Sequence, residues 1–406
     1  MLKESIPIKE AKEIILNNTK SLGSEVVSIT ESLGRYVYID IASTVNIPPT
    51  DNSAMDGFAV ISDDILYATK EHPVTLKVID EIYAGKNYNE RLMPGTCVRI
   101  FTGAKIPDGA DAVVRQEDVI FDKQKAIFTS PVTKGTDIRE AGEDVKKGQI
   151  ILSAGDRISS AAIGMLAALN IKEIEVFKKP KVFVLATGNE LLELGSNLSD
   201  GKIVNSNSYA LSALIAECGA EPINGGISDD NESSIINAFR SIGDADIVIT
   251  TGGVSVGEYD LVKDVFAKLG VKWLFWKVKI RPGHPVAFGI LDDKLFFGLP
   301  GNPVSSMVTF DQFVRIAILK MMGAKETERL RFYAISKSDI RKKPDRTHFL
   351  RARLFAEDGL LYAEALKNQS SAAISSMLSA NSYIILEENR TRINKGDKVL
   401  VELFKI

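Results

Sequence analysis

The sequence predicts a multidomain α/β protein: a central open parallel α/β domain, a β-rich N-terminal region and a small C-terminal β domain. Three observations predict it. Strand-like and helix-like stretches alternate from about residue 181 to residue 322. Short strands with many turn signals precede that stretch, and short strands without helical patterning follow it from about residue 326. At 406 residues the chain also exceeds one core of ordinary size, so two to four domains are expected.

In the first third, apolar spacing predicts a helix over 8–17 and strands over 74–79, 97–101, 112–116 and 126–129. Pro94-Gly95 and Pro107-Asp108-Gly109 punctuate them. A helix is expected over 159–169, and the Lys-Pro run at 178–181 marks a boundary. Beyond it the expected order is strand 182–186, helix 208–218, strand 222–226, helix 231–242, strand 246–250 and helix 259–269. Strands 273–280, 286–290 and 295–298 and one long helix over 304–322 complete it. Such alternation argues for a parallel sheet covered by helices. Strands over 349–355, 383–386 and 398–404 build a final β domain of roughly 80 residues.

Composition narrows the class. Apolar residues are 45% and charged residues 25%, as in ordinary globular proteins, and the net charge of −3 gives no bulk argument for nucleic acid or an anionic membrane. Cys97 and Cys218 are the only cysteines, which excludes a disulfide scaffold and a cysteine zinc site. His72, His284 and His348 are not paired at helical spacing, so a histidine-ligated zinc is not expected. No apolar run reaches the roughly 20 residues of a spanning helix, and the opening residues lack the apolar core of a signal peptide. The expectation is a soluble cytoplasmic protein with neither nucleic-acid nor membrane partners.

Ligands of an open parallel sheet bind beyond the carboxyl ends of its strands. Those ends run into Thr187-Gly-Asn-Glu190, into Gly225-Gly-Ile-Ser-Asp229-Asp230, and into Gly252-Gly253-Val-Ser255-Val-Gly257 followed by Asp260. The glycine loop between strand and helix suits phosphate or another oxyanion, though a plain connecting turn has the same composition. Carboxylates beside a phosphate cradle would repel the ligand unless Mg²⁺ lay between them. Each acid alone also suits a helix N-cap: Asp229 or Asp230 before 231–242, and Asp260 before its own helix. In the segment 273–285, Lys277, Lys279 and Arg281 alternate with Leu274, Trp276, Val278 and Ile280. Three cations on one strand face suit a polyanion, or equally a solvated edge strand. The rigid Gly298-Leu-Pro300-Gly-Asn302-Pro303-Val-Ser305 shapes a pocket or a tight turn. Gly253-Val-Ser255-Val-Gly257 matches a nucleophile elbow, with Asp264 and His284 in hydrolase order, but the loop is too long and His284 too near for that reading. Walker and GxGxxG patterns are absent.

Taken in order, Asp51-Asn-Ser-Ala-Met-Asp-Gly57, Thr102-Gly-Ala104, Gly142-Glu-Asp144, Thr187-Gly-Asn-Glu190, Gly252-Gly-Val-Ser-Val-Gly257 and Gly298 to Ser305 resemble the motifs of the MoeA family across the whole chain. The resemblance implies insertion of molybdate into adenylylated molybdopterin, with Mg²⁺ required and AMP released. It implies a homodimer of four-domain subunits, here 1–45 plus 140–178, an inserted 46–139, a MogA/MoaB-like 179–325, and 326–406. Transient contacts with a MogA-type adenylyltransferase and with apo-molybdoenzymes are the further partners it implies. By position it makes Asp51, Thr102, Asp144, Glu190, Asp229 and Asp260 the functional polar residues, with Glu190 and Asp229 at Mg²⁺. Gly252, Gly253 and Ser255 would hold phosphate, and Lys277 and Arg281 would neutralise the anion. Pro300, Asn302, Pro303, Arg351 and Ser371 would complete substrate binding. The family often carries Lys-Pro-Gly-Lys-Pro where this chain has Arg281-Pro-Gly-His284-Pro285, so His284 is expected to make part of the charge pH-dependent. A scaffold that has lost its chemistry and a MogA-like adenylyltransferase are the rival readings.

Overall fold

The computed structural model describes residues 2–86, 88–252 and 261–405. It forms two compact units, one of Met1–Ile39, Ala154–Ile163 and Lys172–Ile406, the other of Asp40–Ser153 and Gly164–Ile171.

The larger unit is built on a seven-stranded sheet in the order Lys3–Ile6, Lys272–Val278, Ala287–Leu291, Lys294–Leu299, Ile247–Thr251, Lys181–Thr187 and Glu221–Ser228. Strands 181–187 and 247–251 are buried on both faces, which is why they read as continuous apolar runs. Val182, Val184, Ile247, Ile249 and Phe297 pack into one core, and Phe183, Leu185, Val248 and Phe296 into a second on the opposite face. The sheet is parallel except for 287–291, which runs antiparallel to both neighbours as the first arm of a hairpin turning at Asp292-Asp293. Its edge strand, Lys3–Ile6, was not anticipated: four residues with only Ile6 buried carry no periodicity. Helices Asn207–Glu217, Glu232–Arg240 and Leu261–Lys268 lie where the alternation placed them.

The expected long helix is one continuous run of three pieces: Pro303–Thr309, a π-helical Phe310–Val314, and Arg315–Met321. All five π residues are buried, including Asp311 and Gln312. The widened turn accompanies polar side chains that need partners inside the core. Arg329 Nε donates to Asp311 Oδ1 at 2.6 Å, and Gln312 donates to Glu402, which also accepts from Arg331 Nε at 2.9 Å. Burial still pushes the Asp311 carboxyl upward, against the pull of Arg329.

Five strands of the C-terminal part close on themselves: Thr347–Glu357, Leu360–Ala365, Arg331–Ser336, Lys398–Leu403 and Ser382–Leu386, the last pairing back to 347–357. Ile280–Arg281 leaves the central sheet and pairs with Thr347–His348. Phe349, Tyr383 and Ile385 belong to the same core as the central strands, so this β part packs continuously with the α/β part.

The smaller unit holds a six-stranded sheet in the order Ala112–Arg115, Gly57–Val60, Thr96–Ile100, Val74–Ile82, Lys125–Phe128 and Val119–Phe121. Alternation splits it between two cores, with Phe58, Val60 and Cys97 on one face and Ala59, Val98 and Ile100 on the other.

Gly323 ends the run 303–321 in a left-handed conformation, φ +70°, and an added Cβ would lie 2.1 Å from Phe177 Cε2. Its N–H donates to Lys320 O and that of Ala324 to Leu319 O, so the helix carbonyls are capped. Gly323→Ala is expected to cost about 1–3 kcal/mol, read as a lowered urea midpoint by near-UV circular dichroism.

Candidate functional site

Four parallel strands bring their carboxyl ends together: Thr187 pairs with Ser228, Ala186 with Thr251, and Thr251 with Leu299. A cavity of about 570 Å³ opens there, lined by Thr187, Glu190, Asn207, Asp230, Gly252 and Asn302 among others. Close approach of the strand ends depends on Gly252. Its φ is +93°, and a Cβ there would sit 2.3 Å from Thr187 O. Asn207, at the start of helix 207–217, ties the loops together. Its Nδ2 donates to Thr251 Oγ1 at 2.8 Å and to Gly301 O at 2.7 Å, and Thr251 Oγ1 donates to Pro300 O at 3.3 Å. Thr187 Oγ1 and Asn207 Oδ1 are buried without a hydrogen-bond partner among the described residues. Buried polar atoms left so are costly, and both belong to residues lining the cavity, which fits a polar ligand.

Glu190 folds back over Gly188, whose φ is +151° and whose added Cβ would meet Glu190 Oε2 at 2.6 Å. Of the two adjacent aspartates, Asp230 lines the cavity and Asp229 does not. Neither caps the following helix, because Asn231 does so by accepting from Ser234 N at 2.9 Å. Both aspartates are therefore free of the capping role. No group of three or more His, Cys, Asp or Glu side chains is arranged to hold a metal among the described residues. Two carboxylates on one cavity nevertheless suit Mg²⁺, which keeps several waters and takes one or two protein carboxylates. Gly253, Ser255 and Asp260 lie outside the described residues, as does the elbow pattern.

A second cavity of about 1130 Å³ adjoins the first, sharing Pro285 and Asn302 with it. Arg281, Arg346, Arg351, Lys367 and Ser371 line it. The expected single face of Lys277, Lys279 and Arg281 is not formed. Pairing slips between Trp273 and Phe275, and Lys277 takes φ +67°, so the alternation breaks. Lys277 Nζ lies 4.1 Å from the centre of the Trp276 ring, Lys279 pairs with Glu388 at 3.5 Å, and only Arg281 of the three lines the cavity. Arg351 is buried at 1% exposure, and its guanidinium donates to Ser376 Oγ, Asn368 O and Ser370 O. It thereby shapes the loop at 368–371, and Ser371 O accepts from Val304 N at the start of the long helix. Pro303 occupies the first turn of that helix, where a missing N–H costs nothing.

His284 does not add charge at neutral pH. Burial lowers its pKa, and Nδ1 lies 2.7 Å from Val278 O. His348, on the same cavity and 3.4 Å from Asp345, is also lowered by burial.

In the smaller unit, Asp51, Thr102 and Asp144 stand on three loops that meet. Asp51 Oδ1 accepts from Ala141 N at 2.7 Å, Asp144 N donates to Ile47 O, and Ser53 N donates to Ala104 O. Thr102 donates through both N–H and hydroxyl to Asp56 Oδ1, at 2.8 and 2.7 Å, holding the Asp56 carboxyl below its usual range. Asp51 and Asp144 are exposed. Thr187 and Asp230 stand in strand-end motifs the sequence points to, without a site role of their own; Asn207 and Asp56 are given no role by the sequence reading. Asn207 carried a signal, since Asn205-Ser-Asn207 stands at a helix start.

Such a cavity at converging strand ends, with glycine turns and two carboxylates, defines an open α/β ligand-binding domain built into a larger β-containing chain. Residues 6–170 match the family described as "MoeA N-terminal region (domain I and II)", 183–320 the "Probable molybdopterin binding domain", and 333–404 the "MoeA C-terminal region (domain IV)". The chain belongs to the MoeA family. It is 38% identical over 385 residues to the molybdopterin molybdenumtransferase of Haemophilus influenzae, covering 94% of each chain. It is 36% identical to that of Bacillus subtilis over 98% of this chain and 94% of the other. The molybdopterin biosynthesis moeA protein from Pyrococcus horikoshii OT3 superposes with a TM-score of 0.86 at 33% identity, over 98% of this chain and 100% of that one.

The two lowered histidines set a pH window. Above the ordinary value of 6.5 both are neutral folded or unfolded, and stability is complete. As pH falls through 6.5 the unfolded chain takes up protons first, so stability is lost towards the folded pKa. Urea midpoints are expected to fall between pH 7.5 and about 5.5, and the fall should flatten in a His284→Gln/His348→Gln variant. The lowered Asp345 acts only below 3.8, outside that window.

Proposed function

We propose that the chain is a molybdopterin molybdenumtransferase that inserts molybdate into adenylylated molybdopterin, with Mg²⁺ required and AMP released. The observation that carries this reading is likeness over nearly the full chain to enzymes of that name, together with the polar cavity at the strand ends. Thr187, Asn207 and the backbone at Gly252 orient the phosphate end of the substrate. Glu190 and Asp230, rather than Asp229, would hold Mg²⁺, which would supply charge neutralisation at the phosphates. Arg281 in the adjoining basic cavity attracts the incoming oxyanion, and Arg351 keeps the 368–371 loop in place around it. The acids Asp51 and Asp144, with Thr102 steadied by Asp56, form the family's polar cluster in the smaller unit. Asp51 is the one we assign to proton traffic. The protein works as a homodimer in the cytoplasm, in transient contact with the adenylyltransferase that supplies its substrate and with apo-molybdoenzymes. Among the described residues no helix is long and apolar enough to cross a membrane.

The test is AMP release from adenylylated molybdopterin, with and without molybdate and Mg²⁺, followed by reconstitution of an apo-molybdoenzyme. Release that needs both ions, with active enzyme recovered, is expected. Tight pterin binding without turnover would make the chain a carrier instead. Glu190→Gln should lower turnover roughly 100-fold while leaving the urea midpoint in place. Asp230→Asn should raise the Mg²⁺ concentration needed for half-maximal rate more than Asp229→Asn does. Equal effects would return Asp229 to the metal.

A further inference from the structure

A third cavity, of about 240 Å³, lies at the far ends of the helices that border the first. Helix 207–217 begins with Asn207 at the candidate site and ends with Glu217 and then Cys218 here. The run 303–321 likewise begins with Pro303 at the candidate site and presents Arg315 and Leu319 here. Three guanidinium groups, of Arg157, Arg315 and Arg329, line this cavity with Tyr36.

Two of the arginines are fixed from behind. Arg315 Nη1 donates to Thr327 O at 2.7 Å, while Arg329 donates from Nε to Asp311 and from Nη1 to Phe404 O. Their remaining N–H groups have no protein acceptor among the described residues. Arg157 is exposed and likewise has no hydrogen-bond or ion-pair partner there. The groups converge: the Tyr36 hydroxyl feels both Arg157 and Arg315, and the Cys218 thiol feels both Arg315 and Arg329. Glu217 and Glu326 also line the cavity, yet neither forms an ion pair among the described residues. Asp311, beneath the site, pairs with Arg329 at 2.6 Å and more loosely with Arg315 at 4.0 Å, so one carboxylate is shared between two guanidinium groups. Burial pushes the Cys218 thiol up to about 12, so only a trace of thiolate forms near neutral pH; it can be labelled slowly by a thiosulfonate but is not a catalytic nucleophile. The lining is suited to binding without chemistry.

Fork-shaped donors held in place match the oxygens of tetrahedral oxyanions. At 240 Å³ the space is below that of pockets for cofactor-sized ligands, about 300 Å³ and more. We infer that this cavity is a binding site for a small oxyanion of the phosphate class, separate from the candidate active site. The ligand is inorganic phosphate or a small phosphate monoester.

The test uses the full chain, with inorganic phosphate, glycerol phosphate and, at matched ionic strength, chloride. Cys218 lines the cavity whereas Cys97 is fully buried, so modification by methyl methanethiosulfonate, followed by mass spectrometry, reports on this site. Phosphate should slow modification of Cys218 at least about threefold and raise Tm saturably. Both effects should be lost in Arg157→Gln, partly restored in Arg157→Lys, and unchanged in Arg281→Gln. Protection by glycerol phosphate as well would identify the monoester as the larger ligand accepted, and protection by phosphate alone would confine the site to the free anion. Equal protection by chloride, persistence in Arg157→Gln, or loss in Arg281→Gln alone would each overturn the assignment.

Discussion

The larger unit depends on a helical run, 303–321, that is buried along most of its length and still contains an ionisable side chain. A buried helix satisfies its own backbone, but Asp311 and Gln312 must find partners off the helix. Arg329 and Glu402, both of the C-terminal part of the chain, satisfy Asp311 Oδ1 and Gln312 Nε2, leaving Asp311 Oδ2 and Gln312 Oε1 without hydrogen-bond partners among the described residues. Removing one member of such a pair leaves a buried charge, a loss of about 3–5 kcal/mol. The polar contacts therefore lock the β part against the α/β part in one register. That register sets where Ile280–Arg281 crosses between sheets and where Ser371 meets the first turn of the helix. Both candidate cavities are shaped by these two junctions.

The chemistry is distributed accordingly. Strand ends supply Thr187 and the backbone at Gly252, and the start of helix 207–217 supplies Asn207, in positions fixed by close packing. Longer charged side chains come from loops beyond them, where Glu190 and Asp230 reach the cavity without being engaged elsewhere in the described structure. The basic cavity differs in kind. There Arg351 is spent on the protein's own loop, while Lys277, outside the cavity, rests on an indole ring. Arg281 is left as the cation of the segment 277–281 that lines the space.

Much of this was legible before any coordinates. The alternation of apolar runs and amphipathic stretches after residue 181 gave the parallel sheet, because strands buried on both faces cannot hide their composition. The strand ends then located Glu190 and the Gly252 turn. What stayed hidden turned on local backbone geometry. Gly225-Gly226 stand where pairing of 221–228 with 181–187 shifts register, so spacing alone could not say which of Asp229 and Asp230 enters the cavity. Lys277 at positive φ destroyed an alternation that looked regular in the sequence. The π turn at 310–314 left no periodic trace, and neither did the exposed strand 3–6, which is held by backbone pairing rather than by apolar side chains.

That first strand has an implication for how the chain is made. Lys3 pairs with Phe275 and Ile6 with Val278, so residues 3–6 are synthesised long before the strand they pair with. Until then the helix 8–18 and the strand before it have no sheet to join, and the edge at 272–278 has no cover when it arrives. Closing this edge is a long-range step of the kind that slows folding. It also makes the strand 3–6 a structural part, shielding the edge at 272–278 that would otherwise be open to pairing with other chains.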